Sequence, residues 1–210
     1  MASEDTIPVL KVLIIGPSGA VLLRYCDDQF DPESSTATIG IDFKSKHLAV
    51  RGKAYRLNVF DTALMRTSRL GKRDSAPCRQ VTTGGAHGVI LVYDISSRAS
   101  FVGMEKWIDE AKQNAAPNAV LYLVGSKLDK VAGGGRAVTY EEGQAFAQAN
   151  GALFCEVSAK TKENIKRPFV EVVDQIVQKP DLLAGASPRS NNTTLNIGNL
   201  GSDYSSACPC

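Results

Sequence analysis

The feature that most constrains the fold is a regular alternation of short apolar runs with longer segments of helical periodicity. Runs such as 88–94 and 120–126 are nearly continuous in β-rich apolar residues, which is typical of parallel strands buried on both faces. The intervening segments place apolar residues three or four positions apart, which predicts amphipathic helices. The predicted strands are 9–15, 42–50, 54–61, 88–94, 120–126 and 152–157, and the predicted helices are 100–114, 139–150 and 163–179.

This alternation predicts an α/β fold, a doubly wound and mostly parallel six-stranded sheet with helices on both faces. Arg51-Gly52 separates two alternating strands and predicts the turn of a hairpin, which would give one antiparallel pair. Thr139 and Glu142 have the spacing of a capping box at a helix start. Pro168 falls near the start of the last helix, where the first turn tolerates proline.

Composition limits the chain to one principal domain with a tail. Its 210 residues are 43% hydrophobic, enough for a core over 1–179, whereas 180–210 is rich in Gly, Ser and Asn and is predicted to be a flexible tail. The net charge of +2 argues against nucleic acid as a partner. No run approaches the ~20 apolar residues of a membrane-spanning helix. Cys26 and Cys155 are expected to be ordinary, at least half-buried thiols.

Four short polar motifs stand beside successive strands, where such sheets bind ligands. Each motif alone also fits a solvated turn, but their order and spacing together are specific. They are Thr38-Ile39-Gly40, Asp61-Thr62-Ala63, Ser126-Lys127-Leu128-Asp129 and Ser158-Ala159-Lys160. The set resembles the switch I, magnesium-aspartate and guanine-specificity motifs of Ras-superfamily small GTPases. The segments "CDDQFDPESSTATIGIDF" and "GVILVYDIS" resemble the Rab branch and, within it, the Rab-eighteen subgroup.

The resemblance, which spans residues 8 to 178, implies a P-loop GTPase G domain that binds GDP or GTP with Mg²⁺. Asp129 would accept hydrogen bonds from guanine and so discriminate against adenine. Thr38 and Asp61 would help to hold Mg²⁺. The nucleotide-binding residues that the resemblance implies are Gly16, Ser18, Gly19, Phe30, Thr38, Asp61, Ser126, Lys127, Asp129, Ser158, Ala159 and Lys160.

The chain departs from this family at the loop that should cradle the phosphates. The family loop runs Gly-x-x-x-x-Gly-Lys-Ser/Thr, and here Gly16, Ser18 and Gly19 remain but the Lys and the hydroxyl residue are missing. The Gly-Gln-Glu that follows the magnesium aspartate is also missing, so no catalytic residue is assigned. Ser126 replaces the usual Asn. The loss of several charge-assisted bonds, each worth ~1.5–3 kcal/mol, would greatly weaken nucleotide binding.

Residues 64–84 form a polar stretch without periodicity where a helix should lie. When the codons of 70–84 are read one base earlier, one permitted translation is Ala-Gly-Gln-Glu-Arg-Phe-Arg-Thr-Leu-Ser-Ser-Ser-Tyr-Tyr-Arg, nearly the family segment. We interpret 64–84 as the product of a frame or splice error in the gene model, with the clipped phosphate loop as a second error. Sequencing the transcript across both segments tests this hypothesis.

The resemblance also implies protein partners and attachment to a membrane. Ile41, Phe43 and Phe60 match positions that Rab effectors contact, with Phe60 where Trp is usual. Cys208 and Cys210 resemble a Cys-x-Cys prenylation signal, and two prenyl chains suffice for stable anchoring. The expected partners are effectors, an exchange factor, a GTPase-activating protein and an escort protein. The expected protein is a monomer on the cytoplasmic face of intracellular membranes, exchanging with cytosol.

Three hypotheses remain open from the sequence. The first is a Rab-type switch that binds GDP or GTP, hydrolyses GTP slowly and recruits effectors in membrane traffic. The second is a pseudo-GTPase scaffold, because the phosphate-loop Lys and Ser/Thr are missing. The third is a chain that does not fold cleanly as written, because parts of two helices are lost.

Overall fold

The structure, a computed structural model, describes residues 7–16, 19–30, 42–61 and 85–185. Its six strands are β1 (Val9–Ile15), β2 (Asp42–Val50), β3 (Lys53–Asp61), β4 (Gly88–Asp94), β5 (Val120–Ser126) and β6 (Leu153–Val157). Its helices are α1 (Ala20–Asp27), α2 (Arg98–Val102), α3 (Met104–Asn114), α4 (Tyr140–Ala149), α5 (Arg167–Val177) and α6 (Pro180–Gly185), with a 3-10 helix at Leu128–Gly133.

The strands form one sheet in the order β2-β3-β1-β4-β5-β6. β2 and β3 pair antiparallel, and all other neighbouring strands pair parallel. The hairpin turn between β2 and β3 has positive φ at both Arg51 and Gly52, as a two-residue turn of this type requires. The predicted doubly wound, mostly parallel six-stranded sheet is therefore confirmed.

The sheet is covered on both faces because neighbouring residues of each central strand point into opposite cores. In β1, Leu10, Val12 and Ile14 join a core with α1, α5 and α6, while Leu13 and Ile15 join a second core with α3 and α4. This explains why the central strands read as continuous apolar runs rather than as alternating ones. It also places helices on both faces, as predicted.

Local signals in the sequence set most of the helix boundaries. Thr139 and Glu142 form the predicted reciprocal capping box at the start of α4, and Pro168 lies in the first turn of α5. The predicted single helix 100–114 is instead two helices, α2 and α3, that meet at Gly103. Glycine is a poor helix-interior residue, which accounts for the break.

The chain remains ordered for a few residues beyond the predicted domain end at 179. Pro180–Gly185 forms α6, and Leu182 is buried in the core beside α5. The remainder of the predicted tail, 186–210, lies outside the described residues. Cys155 is buried and Cys26 is half-buried, as expected. Within the described part of the chain, no helix is long and apolar enough to cross a membrane.

Candidate functional site

The parallel strands β4, β5 and β6 bring three of the predicted site segments to one edge of the sheet. Asp94 at the end of β4 lies opposite Ser126 at the end of β5, and Ser126 lies opposite Val157 of β6. The loops after these strands therefore start side by side. The carboxyl edge of a doubly wound sheet is where such folds bind ligands.

Two of the predicted motifs are joined by a direct hydrogen bond. The buried Ser158 hydroxyl donates to Asp129 Oδ1 at 2.6 Å and accepts from the backbone N–H of Thr161 at 3.1 Å. This bond fixes the half-buried Asp129 carboxylate. Its other oxygen, Oδ2, has no partner among the residues described here, so it remains available to accept a hydrogen bond.

Lys127 adopts a left-handed backbone conformation, with φ of 68°, and its side chain pairs with Asp94, a residue not predicted from the sequence to belong to the site. Its Nζ lies 2.8 Å from Asp94 Oδ2, and Asp94 also accepts from the backbone and hydroxyl of Ser96 at 2.8 and 2.6 Å. Burial alone would raise the pKa of Asp94, but the hydrogen bonds from Lys127 and Ser96 outweigh it and lower that pKa. Asp94 could have been suspected from its place as the last residue of an apolar strand.

The Ser126 side chain bonds the neighbouring strand β4. Its buried hydroxyl donates to the carbonyl of Tyr93 in β4 at 2.6 Å.

Arg24 of α1 joins the end of that helix to the second specificity motif. Its Nε donates to the carbonyl of Ala159 at 2.6 Å, and its guanidinium carbon lies 5.5 Å from the centre of the Phe30 ring. Phe30, Arg24 and Ala159 are thereby brought together, while Lys160 is exposed. Nothing in the local pattern distinguishes Arg24 from any other helical arginine.

At the phosphate end of the predicted site, the structure describes Gly16 and Gly19 but not residues 17–18. A Cβ on Gly16 would lie 2.8 Å from Val92 Cβ, so only glycine fits where β1 passes β4. α1 begins at Ala20, immediately after Gly19, and no side chain caps it. A Cβ on Gly19 would meet Asp61 Oδ2 at 2.7 Å, so the buried Asp61 carboxylate lies directly against this glycine.

Several predicted site residues lie outside the described ranges, namely Ser18, Thr38, Ile41, Cys208 and Cys210. Asp61 is placed at the end of β3, but its predicted magnesium partner Thr38 is not described. In the ranges that are described, no group of three or more His, Cys, Asp or Glu side chains could hold a metal ion. The magnesium site stays a prediction.

The two described residues of the predicted effector surface are neighbours. Phe43 of β2 and Phe60 of β3 are paired across the strands, with ring centres 4.9 Å apart. Phe43 is 49% exposed, which is unusual for a phenylalanine in a sheet. An exposed phenylalanine packed on the half-buried Phe60 suits a contact with another protein.

The two ends of this site differ in how well they fit a guanine nucleotide. Asp129 has an available carboxylate oxygen beside a buried serine, and Lys127 is fixed against Asp94, so the base-recognition end fits. At the phosphate end, α1 starts at Ala20 directly after Gly19, so the sequence lacks the family's Gly-Lys-Ser/Thr between them and with it the Lys that would contact the phosphates.

Comparison with known proteins identifies the lineage of this chain. The Ras family profile matches residues 11–178. The chain is 39% identical to Ras-related protein Rab-18 of Lymnaea stagnalis, over 99% of each chain. It is 41% identical to Ras-related protein Rab-18-B of Danio rerio, over 85% of this chain and 84% of that one. It is 34% identical to Ras-related protein SEC4 of Saccharomyces cerevisiae, over 95% of this chain and 91% of that one. The chain therefore belongs to the Ras family, as a Rab-18-like small GTPase.

Proposed function

We propose that this protein is a guanine-nucleotide switch of the Rab type that acts in membrane traffic. The observation that carries the proposal is the hydrogen bond from Ser158 to Asp129, which orients a carboxylate for the guanine ring. Asp129 would accept from the base, Lys127 would pack along it, and Phe30 would contact its edge. Ser158 and the backbone of Ala159 would support the base from the second loop.

The remaining parts of this proposal follow from family membership. Mg²⁺ would be held by Thr38 and Asp61, GTP would be hydrolysed slowly, and effectors would read Ile41, Phe43 and Phe60. An exchange factor, a GTPase-activating protein and an escort protein would be the other partners. Prenyl groups on Cys208 and Cys210 would hold a monomer at the cytoplasmic face of membranes.

A second candidate, a pseudo-GTPase scaffold, is favoured by the shape of the phosphate end. α1 starts directly after Gly19, and Asp61 lies against that glycine. The loop sequence also lacks the family's Lys and the hydroxyl residue after it, which contact the phosphates and Mg²⁺. A protein of this kind would keep the effector surface but would not respond to nucleotide.

Nucleotide retention by the purified full-length chain separates the two candidates. The protein is purified in Mg²⁺, denatured, and its released nucleotide is measured by ion-exchange chromatography. If the protein is a switch, the released nucleotide should be GDP or GTP and not ATP. The Asp129→Ala variant should then retain no guanine nucleotide. A folded protein, judged by circular dichroism, that carries no nucleotide and does not bind fluorescent GDP would reject the switch and support the scaffold.

A further inference from the structure

The Arg24 side chain is largely buried, and its strongest contacts are with backbone carbonyls. It is only 10% exposed. The carboxylate that it contacts, Asp28 Oδ1 at 3.3 Å, is 67% exposed and so compensates little for this burial. Its shorter hydrogen bonds run from Nε to the carbonyl of Ala159, at 2.6 Å, and from Nη1 to the carbonyl of Asp28, at 2.7 Å. A buried cation is costly unless it is hydrogen-bonded, so these two bonds fix the guanidinium in one orientation.

The two carbonyls belong to elements that are far apart in the sequence. Asp28 ends α1 in the left-handed conformation, with φ of 56°, and a cation is favourable at the C-terminus of a helix. Ala159 belongs to the loop after β6. Arg24 therefore joins the end of α1 to this loop, and its guanidinium carbon also lies 5.5 Å from the centre of the Phe30 ring. Phe30 and Ala159 are both residues that the proposed function places against the base.

The bond to the Ala159 carbonyl also fixes the direction of the next N–H group. The peptide bond between Ala159 and Lys160 is trans. In a planar trans peptide the N–H points opposite to the carbonyl, so the Lys160 N–H points away from Arg24. In the part of the chain that the structure describes, neither this N–H nor that of Ala159 has a hydrogen-bond partner. Two backbone donors are thus available beside the Asp129 carboxylate that Ser158 holds.

The recognition edge of guanine needs both kinds of partner. It offers a ring N–H and an amino group as donors, and beside them a carbonyl oxygen as an acceptor. Asp129 can accept only from the donors, because an ionised carboxylate has no proton to give. The guanine carbonyl oxygen must then receive its hydrogen bond from another group, and a backbone N–H at Ala159 or Lys160 is of the right kind.

We propose that Arg24 is a positioning residue for guanine recognition, an inference that rests on the proposed function and adds a residue to the same site. Arg24 does not touch the base. It holds the Ala159 carbonyl, so that the Lys160 N–H is directed at the guanine carbonyl oxygen, and it holds the Phe30 ring at the base edge. Without Arg24, the 159–160 peptide is free to rotate and this hydrogen bond is lost.

A second bridge between the same two elements supplies the matched control. Asp28 Oδ2 lies 2.6 Å from Lys162 Nζ, and the two side chains are 67% and 57% exposed. This bridge also connects the end of α1 to the loop after β6, but it involves neither Ala159 nor Phe30. Lys162→Gln therefore removes a contact between these elements and leaves the contacts of Arg24 in place.

The first measurement is the affinity of the full-length chain for fluorescent GDP. Arg24→Gln should weaken GDP binding at least about tenfold, because a charge-assisted hydrogen bond and the peptide orientation are lost together. Arg24→Lys keeps the charge but not the forked geometry that reaches two carbonyls, and it should weaken binding at least about threefold. Lys162→Gln should change the affinity by less than about twofold. If Arg24→Gln is unfolded by circular dichroism, Arg24→Lys decides.

The second measurement separates positioning from support of the fold. In the ¹⁵N-labelled chain saturated with GDP, the Lys160 amide proton should move downfield in the parent and in Lys162→Gln, but not in Arg24→Lys. A weaker affinity with the parent's Lys160 shift would mean that Arg24 only supports the fold, and would overturn the proposal. Equal affinities of the Arg24 and Lys162 variants would overturn it as well, while leaving the switch intact. A folded parent that binds no GDP would reject the switch and this inference together.

Discussion

At the scale of single residues, an ion pair joins Arg136 to the buried carboxylate of Glu156. The two terminal guanidinium nitrogens of Arg136 donate to the two carboxylate oxygens at 2.7 and 2.8 Å, and Glu156 is only 6% exposed. Arg136 also donates to the carbonyl of Val138. A buried carboxylate that loses its partner keeps its desolvation penalty without compensation.

We therefore expect Arg136→Ala to lower the free energy of unfolding by about 3 kcal/mol. Arg98→Ala is the control, because Arg98 forms an exposed pair with Glu142 at 2.6 Å and its loss should lower stability far less. Urea unfolding followed by circular dichroism measures both. Equal losses in the two variants would mean that burial does not decide the strength of these pairs.

At the scale of elements, the contact between β4 and α5 depends on a residue without a side chain. A Cβ on Gly88 would lie 2.6 Å from Val172 Cγ1 and 3.4 Å from Ile176 Cδ1, both on the buried face of α5. The helix packs against the strand at this distance only because Gly88 leaves room for the valine. Close packing of this kind does not absorb an added methyl group without movement.

Gly88→Ala should therefore push α5 away from the sheet and destabilise the domain by about 1–3 kcal/mol. Gly133→Ala is the matched substitution, since nothing lies within 4 Å of its Cβ position, and it should change stability by less than about 0.5 kcal/mol. Thermal unfolding of both variants measures the difference. A Gly88→Ala protein as stable as the parent would show that α5 can shift away from β4 without lowering the stability of the domain.

At the scale of the whole molecule, the loop between β1 and α1 is shorter than the family's phosphate loop and lacks its Lys and the hydroxyl residue after it. Inserting Ala-Gly-Lys-Ser between Gly19 and Ala20 restores the family spacing. Each restored charge-assisted bond is worth ~1.5–3 kcal/mol, so GDP binding should tighten by at least about 100-fold. Fluorescent GDP titration measures this.

An insertion of Ala-Gly-Ala-Ala is the control for loop length alone. It moves the start of α1 equally but supplies neither the ammonium group nor the hydroxyl. If this control insertion tightened GDP binding as much as Ala-Gly-Lys-Ser does, then the position of helix α1, and not the missing Lys and Ser, would limit the affinity for GDP.

Much of this architecture can be predicted from the sequence because it depends on residues that are neighbours along the chain. Strand period, helix period, the Arg51-Gly52 turn and the Thr139 capping box are local patterns, and the structure confirms them. The order of polar motifs after the strands likewise identifies the lineage. The prediction of a single helix over 100–114 was wrong at Gly103, because the apolar period favours a continuous helix whereas glycine favours a break.

The tertiary structure alone decided which distant groups meet. The bond from Arg24 to Ala159 joins residues 135 positions apart, and the pair of Asp94 with Lys127 depends on two adjacent strands ending together. Such contacts arise from the placement of packed elements, to which every core residue contributes, and no local period or motif encodes that placement.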